Sequence, residues 1–86
     1  MRKITFTQEA YSDYLNWLET DKKLFLKITT LIREALRDPE RGIGKPELLK
    51  HQYKGCWSRR ITEQHRLIYT VSETAIEIIS CKYHYH

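Results

Sequence analysis

RNA can be cut without a metal if a few side chains converge. A base takes the proton from a ribose 2′-OH, an acid protonates the leaving 5′ oxygen, and cations stabilise the charge that builds on phosphorus. The 86-residue chain holds such a set: Glu47 in a loop, Lys50 after it, Arg59, Arg60 and Arg66 on expected strands, and His84 with Tyr85 near the C-terminus. Spacing alone does not establish that they converge. Rival chemistry is weaker. Cys81, His84 and His86 cluster, but a strong zinc pattern needs four ligands in paired spacing, so no metal and no cofactor is expected. Cys56 beside Trp57 reads as a small buried thiol and not as a nucleophile. Gly42-Ile43-Gly44-Lys45 is too short for a phosphate cradle.

Charge points the same way. The chain is +4 overall, yet residues 41–66 carry seven basic and two acidic side chains, a net of +5. That window holds Arg41, Lys45, Lys50, Lys54, Arg59, Arg60 and Arg66, with His51 and His65 among them. Such a block favours a polyanion through phosphate neutralisation and counterion release. The bland alternative is a solvated basic face. For Glu47 it is a polar loop end, for Arg59 and Arg60 ordinary strand surface, and for His84 and Tyr85 a frayed tail.

These side chains need a scaffold. Lys3 to Phe6 alternates and reads as a strand, and Thr7 is placed to cap a helix over 8–19. Leu24, Phe25, Ile28, Leu31, Ile32, Ala35 and Leu36 form an apolar stripe that sets a second helix over 21–37, ended by Asp38-Pro39. Tyr11, Tyr14 and Trp17 read as core or helix-packing residues. Residues 38–47 form a loop with both prolines. The period then changes to two, giving a short strand around His51 to Lys54 and strands over Cys56 to Thr62, Arg66 to Val71 and Ala75 to Tyr83. The expected order is β-α-α-β-β-β-β in one α+β domain spanning 1–86, with two helices on one face of an antiparallel sheet. Alternation puts Trp57, Arg59, Ile61, Leu67, Tyr69 and Val71 toward the helices and Ser58, Arg60, Thr62, Arg66, Ile68 and Thr70 away. The longest apolar runs are three residues, far short of a membrane span, and MRKITF has no apolar stretch of a secretory signal. With two cysteines, a reducing cytoplasm is the expected compartment.

The stretches Gly44-Lys45-Pro46-Glu47, Leu49-Lys50-His51, Trp57-Ser58-Arg59-Arg60-Ile61-Thr62, His65-Arg66-Leu67-Ile68-Tyr69 and Cys81-Lys82-Tyr83-His84-Tyr85 resemble the YoeB/Txe toxins of the RelE/ParE superfamily. Asp13-Tyr14 and Trp17-x-Glu19-Thr20-Asp21-Lys22 fit as well, so the resemblance runs through nearly the whole chain in order. It implies a bacterial type II toxin with a microbial-ribonuclease-like fold that cleaves mRNA in the A site of the 70S ribosome. Carried over by position, Glu47 is the general base, and Arg66 stabilises the phosphate with Lys50 and Arg60. His84 is the general acid and Tyr85 orients the nucleotide, while Lys45 and Arg59 bind RNA or ribosome. The family pattern ends at the tyrosine matching Tyr85, and here His86 follows. The resemblance further implies a YefM-like antitoxin whose acidic segment covers the basic face, a homodimer, and contact with operator DNA only through the antitoxin complex. The alternatives are a ParE-like toxin that binds gyrase and a non-catalytic RNA-binding module.

Overall fold

A computed structural model of the chain describes residues 2–83. Strand β1 (Lys3–Phe6) leads into helix α1 (Gln8–Thr20), and α2 (Lys22–Arg37) follows after a single residue. Both helices begin as the sequence directs. Thr7 Oγ1 accepts the amide of Ala10 at 3.1 Å, and the Asp21 carboxylate accepts that of Leu24 at 3.2 Å. Asp21 also closes α1, its own N–H reaching the Trp17 carbonyl at 2.8 Å. One residue thus ends one helix and starts the next, which turns the chain sharply. Helix α2 stops at Asp38, where Pro39 forbids another turn.

The second half is strand and turn: β2 (Glu47–Leu48), a 3₁₀ turn (His51–Tyr53), β3 (Trp57–Arg60), β4 (Arg66–Val71) and β5 (Ala75–Ser80). The five strands form one sheet in the order β1-β5-β4-β3-β2. Three expectations are corrected. The sheet is mixed, because β1 runs parallel to β5, in register Lys3 with Ala75 through Phe6 with Ile78. The two helices between β1 and the rest supply the crossover that a parallel pair requires. The short strand lies at Glu47–Leu48 and not around His51 to Lys54, where His51 takes a left-handed φ of 60° and the backbone coils instead. The last strand also ends earlier than expected, at Ser80.

Helices and sheet meet across one core: Ala10, Ile28, Leu31, Ile32 and Ala35 from the helices, and Ile61, Leu67, Tyr69, Ile76, Ile78 and Cys81 from the sheet side. Burying each large aliphatic contributes about 1.5–3 kcal/mol. Tyr14 and Trp17 pack against this core, whereas Tyr11 is half exposed at its margin. The other sheet face is not bare: Leu49, Ser58 and Ile68 are buried there, outside the helix-side core. Ile68 therefore points away from the helices, as alternation requires, and is still shielded from water. In β5 one extra residue interrupts the pairing, because Ile68 faces Ser80 while Tyr69 faces Ile78. Such a bulge re-aims the chain beyond it.

Cys81 is fully buried, and desolvation pushes its pKa up to about 12; burial raises that of half-buried Cys56 as well. Native protein treated with iodoacetamide at neutral to mildly alkaline pH should label at Cys56 and spare Cys81, with both labelling in urea. Equal labelling of the native protein would contradict this burial. The linked stability is fully present below the unfolded thiol's pKa near 9 and is lost as pH rises through about 12.

Candidate active site

The loop 38–44 and the strand after it are held by a buried cation. Arg59 has no exposed surface. Its Nε donates to the Tyr69 hydroxyl at 3.0 Å, Nη1 to the Ile43 carbonyl at 3.0 Å, and Nη2 to the carbonyls of Asp38 at 2.6 Å and Arg41 at 2.8 Å. The Tyr69 hydroxyl passes its own proton to the Pro39 carbonyl at 2.6 Å. Three loop carbonyls and one phenol thus replace water around the guanidinium, as a buried charge requires. Burial raises the Tyr69 pKa, and the Arg59 cation opposes that rise. Arg59 is consequently corrected from an RNA-facing residue to an internal one, because its donors are turned inward and engaged.

What this anchor positions is the approach to Glu47. Gly44 lies against β3, its carbonyl accepting the Arg60 N–H at 2.6 Å. Its φ of +83° is open to glycine, and an added Cβ would stand 2.9 Å from Leu31 Cδ2 and 3.1 Å from Arg59 Cβ. Lys45 continues in a left-handed turn with φ 50°, and Glu47 then pairs with Ser58. Glu47, Lys45 and Lys50 are all exposed, and among the described residues Glu47 has no ion-pair partner.

The pairing puts Glu47, Ser58 and Ile68 in one row on the face away from the helices. Arg60 and Arg66, directly opposite each other, form the next row on that face. With strands ~4.8 Å apart and alternate residues ~7 Å apart, the Cα atoms of Glu47 and Arg66 lie about 12 Å from each other, within joint reach of long side chains. Like charges directly opposite are unfavourable. The pair is eased because Arg66 Nη1 turns back onto the β3–β4 turn, donating to the carbonyls of Thr62, Glu63 and His65. Among the described residues, Nη1 alone of that guanidinium is engaged, so Nε and Nη2 keep free donors. A carboxylate beside two cations facing one another is a ground on which a phosphate is stabilised and a hydroxyl deprotonated.

His84 and Tyr85 lie outside the described residues, as does the His86 of the alternative metal cluster. The chain leading to them is well tied. Trp17 Nε1 donates to the Cys81 carbonyl at 3.0 Å, the Tyr83 N–H donates to the His65 ring, and the Tyr83 carbonyl accepts the Arg66 N–H. Sequence reading counted His65 only as part of the basic block. It is buried at 8% exposure, with its ring 4.9 Å from Trp17 and 5.6 Å from Tyr83, centroid to centroid. No spacing rule links Trp17 to His65 across 48 positions, so neither residue's role was open to a motif search. Tyr69 was expected on the helix side, and its hydroxyl was the one available sign of a buried polar partner for Arg59.

Two helices on a mixed sheet, with a basic strand face beside an exposed carboxylate, define a small α+β protein. The fold is shared with YafQ from Escherichia coli, seen in a mutant structure with a TM-score of 0.80 at only 15% identity. Closer likeness fixes the family. The model of YoeB-like toxins of bacterial type II toxin–antitoxin systems matches residues 6–85, and the chain belongs to that family. It is 51% identical over 83 residues to toxin YoeB of Escherichia coli K12, covering 96% of this chain and 99% of that one. A YoeB/ParE toxin from Agrobacterium tumefaciens superposes with a TM-score of 0.93 at 46% identity, covering 96% and 99% of the two chains. A heterotetrameric YoeB–YefM complex from Staphylococcus aureus matches with a TM-score of 0.89 at 46% identity, covering 99% of each chain.

Arg59→Met should lower stability by about 2–4 kcal/mol in urea unfolding, because the loop carbonyls lose their buried donors. Arg60→Met, on the exposed face, should stay within about 0.5 kcal/mol. Gly44→Ala should cost about 1–3 kcal/mol through its left-handed backbone and the close Leu31 contact. Equal effects at Arg59 and Arg60 would remove the anchor role.

Proposed function

We propose that the protein is an endoribonuclease toxin that cleaves mRNA in the ribosomal A site and so halts translation. The single observation that carries the reading is the Arg60–Arg66 pair on the same open sheet face as Glu47. Family membership supports the toxin role.

In this reading the Glu47 carboxylate takes the proton of a ribose 2′-OH. The 2′ oxygen forms a bond to the adjacent phosphorus, and the bond from phosphorus to the 5′ oxygen breaks. His84 gives that oxygen its proton, leaving a 2′,3′-cyclic phosphate and a 5′-OH end. Arg66, with its free Nε and Nη2, meets the negative charge on phosphorus, joined by Arg60 and Lys50. Lys45 contacts the RNA backbone, and Tyr85 orients the nucleotide. The chemistry uses side chains of this chain throughout. Relatives from Staphylococcus aureus are described as a dimer and in complex with YefM. By that likeness this chain forms homodimers, is neutralised by a YefM-like antitoxin, and meets operator DNA only through that complex, within a bacterial cytoplasm. An acidic antitoxin segment complements the basic block of residues 41–66.

Primer extension on one mRNA, naked or on 70S ribosomes with a vacant A site, tests the reading. A cut within the A-site codon only with ribosomes is expected, with Glu47→Gln slower by about 10²–10⁴-fold and unchanged in melting temperature. Equal cutting by wild type and Glu47→Gln would overturn the base assignment. No cutting, together with inhibition of purified gyrase, would overturn the nuclease reading in favour of a gyrase-binding toxin.

A further inference from the structure

The segment that delivers the C-terminal residues leaves β5 through a bulge and then makes a sharp turn. Tyr83 has a φ of 65°, a left-handed conformation that tyrosine seldom adopts without support. The support is specific. The Tyr83 N–H donates to Nδ1 of His65 at 2.8 Å, and its carbonyl accepts the N–H of Arg66 at 3.1 Å. Both polar groups of one backbone residue are therefore taken by two consecutive residues at the start of β4.

His65 is itself fixed from several sides. Its N–H donates to Thr62 Oγ1 at 3.0 Å, and its carbonyl accepts the amides of Ile61 at 3.0 Å and Thr62 at 3.2 Å. The Trp17 edge packs against its ring, and the same indole holds the Cys81 carbonyl. An acceptor at Nδ1 means that this nitrogen carries no proton, so the neutral ring has its proton on Nε2. The imidazole serves as a rigid acceptor aimed at one amide.

We propose that His65 is a positioning residue: its Nδ1, acting with the Arg66 amide, brackets the Tyr83 backbone and sets the point from which His84 and Tyr85 enter the site. The proposal rests on the nuclease reading above and adds to it a residue that touches neither RNA nor the reacting atoms. The same two residues then serve both sides of the chemistry. In the proposed reaction Arg66 faces the phosphate with its side chain, and its backbone N–H holds the Tyr83 carbonyl, the last described residue before His84. Displacement of a catalytic group by about 1 Å can cost about 10²-fold in rate.

The test compares wild type, His84→Ala, His65→Phe and His65→Asn by two readouts. One is kcat and KM for cleavage of ribosome-bound mRNA. The other is hydrogen exchange of the Tyr83 amide by NMR in the free protein. The asparagine carbonyl falls where Nδ1 stood and keeps an acceptor, whereas phenylalanine keeps the ring packing without one. The expected result for His65→Phe is a Tyr83 amide exchanging at least about 10-fold faster, and a kcat lower by about 10–100-fold with KM nearly unchanged. His65→Asn should recover most of both losses. Should the phenylalanine variant not fold, His65→Gln takes its place, because its carbonyl lies toward the Nε2 end. Wild-type cleavage and wild-type exchange in the acceptor-less variant would overturn the proposal. So would an asparagine variant that folds yet performs no better than the acceptor-less one. If His84→Ala cuts as fast as wild type, the acid assignment fails and the positioning role falls with it. If His84→Ala is dead while His65→Phe is fully active, only the positioning role fails.

Discussion

A guanidinium with no exposed surface sits where the two halves of this chain meet, and it gathers the loop that leads to the candidate base. A charge taken out of water is costly unless its donors are met. Arg59 meets that condition with the carbonyls of Asp38, Arg41 and Ile43 and with the Tyr69 phenol. Those carbonyls all belong to the nine-residue connection between helices and sheet, residues 38–46, a stretch too rich in glycine and proline to form an element of its own. The polar hub thus does for the loop what apolar packing does for α2. A domain of 86 residues has a small core, and a satisfied buried cation orders backbone that such a core leaves uncovered.

Much of the fold was legible because its strongest signals were local. The α2 stripe, the Thr7 cap and the break at Asp38-Pro39 each act within a few residues, and each holds in the structure. The face assignments of β3 and β4 followed from alternation and also hold, since Ile61, Leu67 and Tyr69 lie in the core and Arg60 is exposed. What the sequence could not express was non-local. Nothing in Lys3 to Phe6 reveals whether it joins the sheet parallel or antiparallel, because that depends on the path of the two helices between the strands. Nothing in Arg59 reveals that it is buried, because its acceptors are backbone carbonyls that every residue possesses. The alternation rule did place Arg59 on the helix side, and surface chemistry was assigned to it against that rule.

The candidate site has the same division. Arg60 and Arg66 could be placed on one face from period alone, and only the register adds Glu47 to that face and supplies the rows. His65, Trp17 and Tyr69 carry no motif, yet they hold the segments on either side of that face. Histidine is versatile enough to have been read as charge in a basic block. Burial, the ring contacts and the unprotonated Nδ1 make it a neutral acceptor instead. Residue type constrained the chemistry that was available, and only the fold decided which of those residues face a substrate and which face the protein.

Both supports refer to one element, the β3–β4 hairpin. Arg59 on β3 gathers the loop that ends in Glu47, and His65 with Arg66 at the head of β4 takes hold of the backbone that leads to His84. The proposed reaction needs a base and an acid from two distant parts of the chain, and these must keep a fixed separation if one is to remove a proton as the other delivers one. Anchoring them independently to the helices would let each move with its own support. Here the loop that ends in Glu47 and the segment that ends in Tyr83 are both anchored to one two-stranded unit, whose turn is tied by Thr62 and whose face away from the helices carries the two facing arginines. The helices stabilise the hairpin from behind through Leu31, Ile28 and the sheet core, and Trp17 of α1 reaches the same hairpin at His65.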